Sequence, residues 1–79
     1  MGQIIENNLQ RLGKTIRAAR KARGWSQEEF AYRCDLDRSY IGGIERGERN
    51  ISILTLCKIA KALGLNVNSL VKGLPLEGK

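Results

Sequence analysis

Histidine is missing from all 79 residues, and the only two cysteines, Cys34 and Cys57, stand far beyond a CxxC spacing. Zinc centres draw on these two residue types at close spacing, so a structural or catalytic metal site is not expected, nor is any other cofactor. The missing histidine also removes the commonest general base. No phosphate-cradling glycine loop and no nucleophile with a base beside it stands in for it, which argues against an enzyme. Aromatics are scarce: Trp25, Phe30, Tyr32 and Tyr40 do not cluster as a stacking platform for single-stranded RNA. Trp25, beside a helix junction, reads as a core or hinge residue. No stretch approaches the roughly 20 apolar residues of a membrane span. The opening MGQIIENN lacks the basic start and apolar run of a secretory signal, and Glu6 stands where a myristoylation motif needs Ser or Thr. A soluble, cytoplasmic protein is expected. In that reducing setting both cysteines read as small buried hydrophobes, with a disulfide as the alternative.

What the chain has in excess is positive charge. Lys and Arg total 14 against 8 Asp and Glu, a net charge of +6 that favours a polyanionic partner. The excess is uneven, because residues 11–23 hold Arg11, Lys14, Arg17, Arg20, Lys21 and Arg23 with no acid among them. This segment serves equally as an electrostatic footprint or as a solvated helix face. The length allows one small domain with a marginal core, so pairing of two copies is expected.

Hydrophobic periodicity and capping residues predict an all-α architecture of five helices joined by short loops. Asn7 and Gln10 have capping-box spacing before Leu9, Leu12, Ile16 and Ala19, which places a first helix over about residues 8–23, stopped by Gly24. Ser26 and Glu29 open a second helix whose inward residues are Phe30, Ala31 and Cys34. Asp37 caps a third, seamed by Ile41 and Ile44 and ended by Gly47. Ser52 caps a fourth that carries Leu56, Ile59, Ala60 and Leu63 and stops at Gly64. Asn66 or Asn68 starts a short fifth, and Pro75 closes the ordered part. Residues 1–7 are expected to be an N-terminal extension, 8–74 the domain and 75–79 a C-terminal tail.

Residues 26–47, SQEEFAYRCDLDRSYIGGIERG, have the pattern of a helix-turn-helix. Ala31 supplies the small residue where two helices cross, and Leu36, Ile41 and Ile44 plug the joint. The third helix then turns its other side outward. At about 100° per residue that side carries Ser39, Gly42, Gly43 and Arg46, flanked by Arg38 and Tyr40. Arg38, in the first turn, can bond bidentately to guanine O6 and N7, and Tyr40 can meet thymine methyls. Ser39 can serve base or backbone. Gly42 and Gly43 each cost on the order of 1 kcal/mol in a helix, and two reasons remain open: a closer approach of the backbone to a groove wall, or simple tolerance. Arg38, Ser39, Tyr40, Gly42 and Gly43 are therefore the candidate base-reading set. Gln27, Arg46, Arg49, Asn50 and Ser52 are candidates for phosphate, helped by free N–H groups at the starts of the second and fourth helices. Glu45 turns inward and pairs with a helix-one arginine.

Over Leu9 to Val71 the residues resemble the phage-repressor-like helix-turn-helix family, the Xre or Cro/C1 type. Gln27, Ala31, Leu36, Ile41, Ile44, Glu45 and Gly47 fall at the family's spacings. The resemblance implies a lambda-repressor-like fold of five helices and a fold-organising pair between Arg20 and Glu45. The run LDRSYIGGIERGERNIS further resembles the controller proteins of restriction-modification systems, which implies a homodimer regulating its own promoter and the adjoining nuclease gene. One departure is Asp35, where the family's turn usually has glycine; Asp tolerates the left-handed conformation better than most residues. The expected activity is sequence-specific binding of double-stranded DNA by a homodimer on a palindrome. Its pairing surface is expected at Leu65, Val67, Leu70 and Leu74. The alternative is a protein-interaction module of antitoxin or coactivator type on the same fold, marked by weak, sequence-insensitive DNA binding.

Overall fold

The computed structural model describes residues 7–74. The extension 1–6, Pro75 and the tail 75–79 lie outside them, whereas Asn7 belongs to the domain as the cap of its first helix. The elements are α1 (Asn8–Ala22), α2 (Gln27–Cys34), α3 (Arg38–Glu45), α4 (Ile53–Leu63) and α5 (Val67–Val71), with no strand among the described residues.

Local chemistry sets each boundary. Asn7 and Gln10 form a reciprocal capping box at 2.9 and 3.0 Å, satisfying two backbone N–H groups that α1 cannot pair internally. Ser26 and Ser52 each accept a backbone N–H three residues on, from Glu29 at 3.0 Å and from Thr55 at 3.1 Å. Asn66 precedes α5 without a side-chain cap bond, in keeping with the shortness of that helix. Asp35 adopts the left-handed conformation at φ 60°, so the turn keeps its geometry without glycine. The Leu36 N–H reaches back to the Ala31 carbonyl at 2.9 Å and closes α2.

The five helices bury one apolar centre in which Ile16, Phe30, Ile41, Ile59 and Leu70 are fully enclosed, one from each helix. Ala31 is buried where α2 meets α3, small enough to let Ile41 and Ile44 close over the joint. Trp25 stacks on Phe30 with ring centroids 6.1 Å apart, and the Arg33 guanidinium lies 4.3 Å above the indole. Arg23 ties the end of α1 to the end of α4, donating to the Leu63 carbonyl at 2.6 Å. Cys34 is buried as expected, and burial pushes its thiol up to about 11. Cys57 is a correction: it is exposed, because the α4 seam of Leu56, Ile59, Ala60 and Leu63 turns position 57 outward.

Helices α1 and α3 cross with their backbones in contact. A Cβ at Gly13 would stand 2.4 Å from the Ile44 carbonyl oxygen and 2.6 Å from that of Glu45. A Cβ at Gly47, which has φ +77°, would stand 2.6 Å from Cα of Gln10. Only residues without side chains fit at these two points, and they fix how far α3 stands from α1.

Candidate nucleic-acid interface

A helix presented outward needs a rigid inner face, and α3 has one. Ile41 and Ile44 are buried, and beside Ile41 in angle lies Glu45, whose side chain is 2% exposed. A carboxylate so enclosed requires partners on both oxygens. Arg20 supplies two: Nε donates to Oε2 at 2.7 Å and Nη2 to Oε1 at 3.0 Å, a fork matched to the carboxylate plane. The remaining Arg20 nitrogen, Nη1, donates to the Trp25 carbonyl at 2.8 Å. One guanidinium thus joins α1, the α1–α2 connection and α3. Among the described residues no buried side-chain polar atom is left without a partner.

Gln27 completes this network, donating Nε2 to Glu45 Oε1 at 3.0 Å. Its side chain, expected at phosphate, is half-buried and donates inward to this carboxylate. Its acceptor lies 18 residues away in sequence, and nothing in the local pattern marks it.

The outer side of α3 divides into an open head and a covered tail. Arg38 and Ser39 are exposed, and the Arg38 side chain has no ion pair or hydrogen bond to another described residue. The Ser39 hydroxyl donates to Asp37, the helix cap, and its backbone N–H donates to the same oxygen at 3.1 Å. These two bonds, the hydroxyl first, hold the Asp37 carboxyl below its ordinary range. Toward the C-terminal end Gly42 and Gly43 are buried, which corrects the picture of a bare backbone open to a groove. The Arg46 guanidinium and Gln27 lie over Gly42, and the Arg49 stem lies over Gly43. The Arg49 guanidinium stands 5.3 Å from the centre of the half-buried Tyr40 ring, and Arg46 pairs with Glu48 at 3.1 Å. Asn50 and Ser52 are exposed beside this cluster, Ser52 as the cap of α4 with its hydroxyl also donating to Thr55 at 3.1 Å. Arg46 and Arg49 therefore both lie against the outer side of α3, at Gly42, Gly43 and Tyr40.

On the candidate pairing surface Leu65, Val67 and Leu74 are half-buried, but Leu70 is not available. It is 1% exposed within the single chain and belongs to the core, since α5 is too short to bury any other residue fully. Two apolar residues escaped the sequence reading: Ile53 and Leu54, 63% and 73% exposed at the head of α4. Leu54 stands off the side of Leu56, Ile59 and Ala60 by helical spacing, whereas Ile53, three residues before Leu56, falls on that side and is exposed as the first residue of α4.

Among the described residues no helix is long and apolar enough to cross a membrane, and no three potential metal ligands gather. The helix-turn-helix family model matches residues 16–70, which takes in the Arg20–Glu45 pair and the whole of α2 to α4. Control protein C.BamHI of Bacillus amyloliquefaciens is 45% identical over 69 residues, covering 85% of each chain. The crystal structure of the restriction-modification controller protein C.AhdI from Aeromonas hydrophila superposes with a TM-score of 0.77 at 45% identity, over 78% of this chain and 94% of that one. C.Esp1396I bound to a 25 base pair operator site superposes with a TM-score of 0.68 at 41% identity, over 73% and 76% of the two chains. By its matched family model, its relatives and its five-helix fold, the chain belongs to the helix-turn-helix family of Xre, Cro/C1-type regulators.

Proposed function

We propose that the chain is a sequence-specific, double-stranded-DNA-binding regulator of transcription, acting in the cytoplasm as a homodimer on a palindromic operator. The observation that carries this reading is the asymmetry of α3. One side is locked by Ile41, Ile44 and the Glu45 network, while Arg38 and the cap-bonded Ser39 are exposed at the end that reaches base edges when such a helix enters a major groove. Arg38 then reads guanine with its planar fork, with Ser39 and Tyr40 beside it. Arg46, Arg49, Asn50 and Ser52 take phosphates on the flank. No catalytic step belongs to this reading.

One α3 covers about half a site. Two copies related by a two-fold axis place their α3 helices about 34 Å apart, in successive major grooves. Leu65, Val67 and Leu74 supply apolar surface for pairing, and Ile53 and Leu54 offer a second patch. The similarity to restriction-modification control proteins supports a role in regulating such an operon.

Selection of sites from a random DNA pool tests the reading, with an enriched palindrome as the expected result. Arg38→Ala is expected to cost about 1–3 kcal/mol on the selected site and to relax preference at one base pair. Equal, weak binding of selected and scrambled DNA by the unmodified protein would favour a protein-interaction module instead.

A further inference from the structure

Gly43 and Arg49 make a contact that neither base reading nor helix formation requires. A helix interior pays about 1 kcal/mol for a glycine, and here two stand side by side. Their surroundings differ. At Gly42 a Cβ would meet the tip of Arg46, 3.1 Å from Nη1, which a small rotation of a long side chain relieves. At Gly43 it would meet the root of Arg49, 2.9 Å from Cγ, with Nε at 3.3 Å and Cδ at 3.6 Å. Cγ moves only if the Arg49 side chain swings at its base, and that carries the whole guanidinium elsewhere. The present position of that guanidinium is specific, 5.3 Å from the centre of the Tyr40 ring on α3.

We propose that Gly43 is a positioning residue: the notch left by its missing side chain seats the Arg49 stem and sets the guanidinium against Tyr40, presenting a phosphate-binding cation already ordered before DNA arrives. The proposal rests on the DNA-binding reading for its purpose, though not for its geometry. Arg49 lies outside α3, in the loop before α4, where a long side chain otherwise samples many rotamers. Fixing such a side chain on binding opposes association, and a seat present in the free protein removes that opposition. The adjacent glycines thus acquire different roles. Gly42 lies beneath side-chain tips, whereas Gly43 shapes a socket.

This predicts a signature that a lost contact does not share. In Gly43→Ala the Arg49 charge still reaches phosphate, so the salt dependence of binding keeps its slope while affinity falls by about two- to tenfold on selected and scrambled DNA alike. In Arg49→Ala the slope itself drops by about one. On the Arg49→Ala background, Gly43→Ala is expected to change affinity no further. In the free protein, proton NMR should show the Arg49 side-chain resonances displaced by the Tyr40 ring current, and Gly43→Ala should return them toward ordinary values. Arg49→Lys, which leaves α3 untouched, provides a second route: slope kept, affinity reduced.

Unchanged Arg49 resonances in Gly43→Ala would overturn the seat. So would an affinity loss that persists in full without Arg49, which would assign Gly43 to helix approach rather than to positioning. Failure of the wild-type protein to bind DNA while the ring-current shift is present would count against the DNA reading and leave the seat standing.

Discussion

Replacing Gly13 by alanine should damage the protein at a place where elementary helix chemistry predicts improvement. In the middle of α1, glycine to alanine gains about 1 kcal/mol in an exposed helix. Gly13 is buried, however, and its added Cβ would stand 2.4 and 2.6 Å from two α3 carbonyl oxygens, where ordinary contact begins at 3.4 Å. Backbone oxygens cannot rotate away, so α1 must retreat by about 1 Å at that point. The retreat is not local. Ile16 and Arg20 follow on the same face, so the tilt loosens a fully buried core residue and the 2.7 Å bond to Glu45. Overpacking of this kind costs about 1–3 kcal/mol, and weakening the buried pair adds to it, so a net loss of about 2 kcal/mol is expected after the helix gain. With a urea slope near the low end for small proteins, about 1 kcal/mol per molar, the midpoint should fall by roughly 2 M. Urea titration followed by circular dichroism measures this. Both proteins must be compared at one concentration, since pairing of chains links stability to concentration. A midpoint equal to or above that of the parent would refute the backbone-contact account of the α1–α3 crossing.

Three further perturbations test other parts of the structure. Glu45→Ala strands a buried guanidinium and the Gln27 amide, and should cost about 3–5 kcal/mol, enough to unfold much of a small domain; a loss below 1 kcal/mol in the same titration would show the network to be peripheral. Asp35→Gly should raise stability by about 0.5 kcal/mol, the left-handed penalty of about 1–2 kcal/mol less about 0.5–1 kcal/mol of added chain entropy; a decrease would mean that Asp35 contributes something the turn geometry does not reveal. A thiol reagent should modify Cys57 at once and Cys34 only on unfolding, so one fast equivalent counts for the fold and two against it. The folded state holds the Cys34 proton up to about 11, against 9.0 for the free thiol, so this stabilisation is complete below pH 9 and is lost as pH rises toward 11.

What could be read from the sequence was local. Helix starts at Asn7, Ser26, Asp37 and Ser52 follow from side chains bonding to backbone two or three residues away, and the interior residues follow from helical spacing around Ile16, Ile41 and Ile59. Partners distant in the chain are another matter. Gln27 carries the same amide whether it faces phosphate or a carboxylate 18 residues on, and only the packing of α2 against α3 decides which. Leu70 has the spacing of a pairing surface, but α5 needs it as its sole fully buried anchor. The double glycine is legible as a cost, but the side chain occupying its notch comes from a loop whose path no periodicity encodes.

The setting of Trp25 has a practical outcome. It is the only tryptophan in the chain, its carbonyl is held by the same guanidinium that grips Glu45, and its ring packs against Phe30 and Arg33. Its emission therefore works as a native optical reporter of the joint between the first three helices, recording assembly or rupture of that joint without any label.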